Sequence, residues 1–148
     1  LEKIFGTLAL NDWRYESNWK VASGHTNRCF YKYSDLETDA YYADLLPMIR
    51  MSEMYYIIAE TAENETDALE SINLVLDNRG VELLTSASQL ESTLLNEYQK
   101  EFWGEGQLFF YYKRMNASSI LSAFSGGNVE MNDTKYVLPL PQSETDFR

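Results

Sequence analysis

The sequence predicts a mainly α-helical fold of antiparallel helix pairs, with long irregular loops and little β structure. Three observations carry this. Apolar residues recur at three- and four-residue steps from Leu45 to Ala62 and again from Ala68 to Leu76, and at four-residue steps from Leu90 to Phe102. The connections between these runs are short, which makes consecutive helices antiparallel neighbours able to bury one another's apolar faces. Glycine and capping residues punctuate the runs where helices would start and stop.

Residues 1–44 mix aromatic and polar residues without a sustained helical period, as in Trp13-Arg14-Tyr15-Glu16 and Cys29-Phe30-Tyr31-Lys32-Tyr33, and are expected to be irregular with short strands. From Leu45 the period changes. Leu45, Met48, Met51 or Ser52, Tyr55, Ile58 or Ala59, and Ala62 outline one apolar face, with Pro47 in the first turn and Asn64-Glu65 closing the helix. Thr66 or Asp67 is then placed to cap a second helix, whose stripe is Ala68, Leu69, Ile72, Val75 and Leu76 and whose stop is Gly80.

A third helix is expected to open on a capping box of Ser88 and Glu91 and to carry Leu90, Leu94, Tyr98 and Phe102 on one side. Gly104-Glu105-Gly106 interrupts it, and a fourth, rich in aromatic residues, runs from about Glu105 to Met115. Residues 45–115 thus form two helix hairpins, about 35 to 40 residues apart, near the period of stacked helix-pair repeats. Residues 116–148 read as a Ser/Gly/Asn-rich loop followed by an extended tail, since Pro139 and Pro141 exclude a helix interior.

A chain of 148 residues with 45% hydrophobic and 24% charged residues has enough apolar surface for one domain with a core. Its net charge of −11 repels phosphate backbones and anionic headgroups, which argues against nucleic acid as a partner. One cysteine, Cys29, and one histidine, His25, cannot build a Cys/His zinc site or an internal disulfide, and no metal or cofactor is expected. No run approaches the roughly 18 consecutive apolar residues of a membrane span. Three Asn-x-Ser/Thr matches, at Asn64, Asn116 and Asn132, are read as chance.

Four ordered segments resemble the C-terminal half of the SusD/RagB family. Pro47 to Tyr55 holds Arg50 and Glu53 in the family's Arg-x-x-Glu spacing, and the helix continues to Ala59-Glu60-Thr61-Ala62, near the family's Ala-Glu-Ala. Asn73 to Gly80 is similar to an Asn-x-x-Arg-x-Arg run, with Leu76 in place of the first arginine. Glu97 to Arg114 is similar to Glu-Arg-x-x-Glu-Leu-x-x-Glu-Gly-x-Arg-x-x-Asp-Leu-x-Arg, departing at Tyr98, Gln107 and Tyr111. Leu138 to Glu144 resembles the terminal Leu-Pro-Ile-Pro-x-x-Glu.

The resemblance implies tetratricopeptide-like units arranged as an α-α superhelix, and a single domain, 1–148, that is the C-terminal part of a larger protein. It further implies a surface lipoprotein of the outer membrane that binds glycans or other nutrients without catalysis, partners a TonB-dependent transporter, and meets the membrane only through a lipid anchor on the missing N-terminal part. The alternative is a helical-repeat scaffold that binds other proteins and no ligand of its own.

Ligand-binding candidates are Trp13, Tyr15 and Trp19, flat rings in the aperiodic segment that suit stacking on a pyranose, with Asp12, Arg14 and Asn18 nearby to bind hydroxyls. Arg50, Glu53, Arg79, Glu101, Glu105 and Arg114 are read as ion pairs fixing how the hairpins stack. No catalytic residue is assigned: Asp12 with Glu16, or Glu101 with Glu105, has glycosidase-like spacing, but any acidic helix offers such pairs.

Overall fold

A computed structural model of the chain describes residues 2–6, 11–33, 47–122, 126–137 and 139–142. Two compact units emerge, Leu1–Glu101 and Phe102–Arg148.

In the first unit the expected hairpin is present. Helix α3 spans Met51–Thr61 and α4 spans Glu65–Asp77, and the two pack along their lengths. The α4 stripe is buried as expected at Ala68, Ile72, Val75 and Leu76. The α3 face takes the smaller of each pair of alternatives: Ser52 and Ala59 are buried while Met51 and Ile58 are exposed, and the departures are an exposed Met48 and a buried Tyr56 where Tyr55 is expected. Small residues let two helices approach closely, and Ser52 and Ala59 supply that face whereas the larger aliphatics point outward. Leu45 lies outside the described residues.

The helix ends also shift from expectation. Pro47 precedes α3, whose N-cap is Arg50, and α3 closes at Ala62. Asn64 caps α4, its Oδ1 accepting from the Asp67 amide at 2.9 Å, so the capping residue is two positions earlier than Thr66. Gly80 does stop the turn after α4, at φ +71°. A Cβ there would lie 2.5 Å from the Asn11 carbonyl oxygen and 2.7 Å from the Trp13 indole nitrogen, so glycine is required twice over.

Helix α5, Leu90–Glu101, buries Leu94 and Tyr98 as expected. Its approach is a 3-10 turn, Ala87–Gln89, capped by Ser86 rather than a box opened by Ser88. Asn73 fixes the preceding link: its amide donates to the Leu84 carbonyl at 2.8 Å and its Oδ1 accepts from the Leu84 amide at 2.7 Å.

The segment expected to be irregular holds two short helices, α1 at Glu2–Phe5 and α2 at Trp13–Asn18. Six residues complete under two turns, too few for an apolar period to register. Strands β1, Trp19–Val21, and β2, Arg28–Phe30, pair antiparallel with Trp19 opposite Phe30.

In the second unit, α6 spans Gln107–Arg114 and buries Tyr111 and Tyr112. The stretch expected to be a loop contains an antiparallel hairpin of β3, Ser119–Leu121, and β4, Asn128–Glu130, followed by α7, Asp133–Tyr136. Tyr136 is buried against Phe109, and its hydroxyl donates to the Ala117 carbonyl at 2.8 Å. Pro139 to Pro141 takes no regular structure; Leu138 and Ser143-Glu144 lie outside the described residues.

Candidate functional site

Helix α2 begins where Asp12 caps it, its Oδ1 accepting from the Arg14 amide at 3.0 Å. The cap places Asp12 and Arg14 side by side, and the guanidinium donates twice to the Asp12 carboxylate, Nε to Oδ1 at 2.9 Å and Nη2 to Oδ2 at 2.8 Å. From α5, Glu97 and Glu101 stand one helical turn apart and face the same guanidinium, at 2.8 Å and 3.4 Å. Lys100 bridges Asp12 and Glu97, at 3.2 Å from each, and lies over the Phe5 ring of α1. The Tyr56 hydroxyl of α3 donates to Glu97 at 3.1 Å.

This node is interior. Arg14 is 5% exposed, Asp12 3%, Glu97 1% and Glu101 4%. Taking such charges out of water costs several kcal/mol per ion, on the order that only close, fully hydrogen-bonded partners recover. The electrostatics agree with the geometry. Burial works to raise the Asp12 carboxyl, but the hydrogen bond and charge of Arg14, helped by Lys100, outweigh it and hold the group below its ordinary value. Burial likewise opposes the charge on Arg14, which Asp12 and Glu97 overcome. Burial and then the Glu97 charge push the Tyr56 phenol well above its ordinary value, so it stays a donor.

Three of the six ion-pair candidates join this node. Arg79 reaches Glu101 at 3.2 Å, and Arg50 stands 3.9 Å from its other oxygen. Arg50 also donates to the Glu101 carbonyl at 3.3 Å, as does Lys32 at 2.7 Å, so two cations satisfy the C-terminal end of α5. Arg50 therefore turns to α5 rather than to Glu53 one turn along its own helix; among the described residues Glu53 shows no ion pair. Glu105 and Arg114 belong to the second unit, where Arg114 lies over the Tyr111 ring.

Asp12, Arg14 and Asn18 are buried instead of displayed for hydroxyl binding. Sequence reading places Glu101 among the ion pairs but assigns Glu97 no role beyond the family motif, and nothing local shows that their partner lies 83 and 87 residues away.

The three aromatic candidates fare differently. Trp13 is 65% exposed, with its amide donating to the Arg79 carbonyl and its indole edge against Gly80, so one ring is held firmly and shown to solvent. Tyr15 is half-buried between the Phe5 ring at 5.4 Å and the Arg28 guanidinium at 4.5 Å. Trp19 is buried, packing on Phe30 at 5.1 Å, because β1 turns its first side chain inward. Its expected exposure is not found.

Among the described residues no helix is long and apolar enough to cross a membrane. A sequence profile of the SusD family matches residues 8–147. No curated protein and no solved structure matches the chain.

Proposed function

The chain belongs to the SusD family, a nutrient- and glycan-binding family, and from that premise we propose that it captures a glycan or related nutrient without altering it chemically. In this reading it works with a TonB-dependent transporter at the surface of the outer membrane, held there by a lipid anchor carried on a preceding segment. The observation that carries the proposal is the family match over residues 8–147.

The ionic node supports the non-catalytic part. A glycosidase needs one carboxyl held protonated as general acid, above its ordinary range. Asp12 is shifted the other way, and Glu97 and Glu101 are buried against cations. Trp13 is the side chain best disposed to meet a sugar, because its ring is exposed while its backbone and edge are fixed, which lowers the ordering cost of stacking.

The test is titration of the chain with a panel of soluble α- and β-linked oligosaccharides, alongside Trp13→Ala and Tyr15→Ala. Binding of at least one oligosaccharide, lost in Trp13→Ala, is the expected result. Cleavage products after prolonged incubation would overturn the non-catalytic reading, and failure of every sugar to bind would overturn capture by this chain.

A further inference from the structure

The outer side of the α3–α4 hairpin combines three features that the ionic node does not use. Residues 51–78 contain five glutamates and two aspartates but neither lysine nor arginine. Large aliphatic side chains stand exposed among them, Met51 at 69% and Leu74 at 45%. Between these two lies a groove of about 240 Å³, walled by Met51, Tyr55 and Leu74, with the largely buried Ser52 and Val75 also lining it.

Behind the groove wall lie two polar atoms without partners. Ser52 Oγ and Arg79 Nε are both buried, both belong to lining residues, and neither has a hydrogen-bond partner among the described residues. Ser52 is the second residue of α3, so the carbonyl four residues back, on Met48, lies outside the helix. Arg79 commits Nη2 to Glu101, which leaves its Nε–H as a fixed donor.

Spacing relates the charges to the groove. Glu70, Leu74 and Asp77 lie at i, i+4 and i+7 along α4 and so share one face, with both carboxylates exposed on either side of the leucine. The volume is below the roughly 300–1,000 Å³ of sites for small organic ligands, and suits one anchoring side chain.

We propose that this face docks a cationic amphipathic protein segment. One large apolar side chain of the segment enters the groove between Met51 and Leu74, and its lysines or arginines meet Glu70 and Asp77. Charge complementarity selects the partner, and the apolar anchor fixes the register. The proposal is independent of sugar binding at Trp13.

A synthetic helical peptide of leucine and lysine, fluorescently labelled, tests it by anisotropy against the full chain. Binding is expected to weaken at least about tenfold in Leu74→Asn, and at least about tenfold when serine replaces the peptide's leucines, because the anchor carries most of the affinity. Asp77→Asn and Glu70→Gln should flatten the salt dependence. Trp13→Ala should leave peptide binding unchanged, which separates this surface from the sugar site. Equal binding of the serine peptide, or indifference to Leu74→Asn in a folded chain, would overturn the proposal in favour of diffuse charge attraction. A concentration-dependent dimer abolished by Leu74→Asn, with no competition by the peptide, would overturn it by making a second copy of the chain the occupant.

Discussion

The α3–α4 hairpin closes on Ala59, Ala68, Ile72 and Leu76, whereas the junction of α2 with α5 closes on one arginine among three carboxylates. Both are buried, but they tolerate change differently. An apolar contact gains roughly in proportion to the area removed from water, and it degrades gradually as methyl groups are lost. The ionic junction has no such gradation: Arg14 is the partner that all three carboxylates share, and removing it leaves Lys100, Arg79 and Arg50 alone to offset three buried charges. The hairpin can therefore form from local pattern alone, while the junction specifies which distant segment sits on α5.

The sharpest break of this comparison is Arg14→Ala, expected to cost about 3–5 kcal/mol in urea unfolding, with Arg14→Lys failing to restore the loss because an ammonium cannot serve Asp12 and Glu97 in a planar fork. A loss under about 1 kcal/mol would place the node effectively in solvent, as for exposed pairs. Next comes Leu76→Ala, expected to cost about 3 kcal/mol by the same measurement, from lost transfer energy and the cavity left behind.

Gly80→Ala should cost about 1–3 kcal/mol, through a left-handed backbone and a clash at Asn11 and Trp13, and it should also shift Trp13 fluorescence. Gly24→Ala, at a similar φ of +80° but with open space around it, should cost less, which separates the clash from the strain.

The smallest effect at neutral pH is the acid limb of Asp12. Its folded value is held below the ordinary 3.8, so the unfolded chain binds the proton more readily. Stability from this group is complete above that ordinary value and is lost as pH falls from it through the folded one. Unfolding followed across this range should show stability rising with pH, and Asp12→Asn should make the slope shallower.

How much of this was legible in the sequence follows from the same contrast. The α4 stripe, the α5 stripe and the stop at Gly80 are local signals and are found as expected. The α3 period leaves Met51 or Ser52 and Ile58 or Ala59 open, because exposed Met51 and Ile58 fit a core period as well as the buried Ser52 and Ala59, whose small size carries little hydrophobic signal. The β3–β4 hairpin escaped notice because three-residue strands beginning at Ser119 and Asn128 show no alternation. At the site, Arg50, Arg79 and Glu101 were recognisable from charge and helical spacing. Arg14 was not, because its partners are defined by tertiary packing across more than eighty residues and its neighbours read as a surface segment.

The central claim is that the carboxylates of α5 hold the fold and that ligand is met elsewhere. The most direct test is the dissociation constant of the Glu97→Gln chain for the oligosaccharide that binds the parent, taken at a temperature where circular dichroism shows the variant folded. An unchanged constant is expected, together with a lowered urea midpoint. Loss of sugar binding in the folded variant would contradict the account and move Glu97 from the scaffold into the binding site.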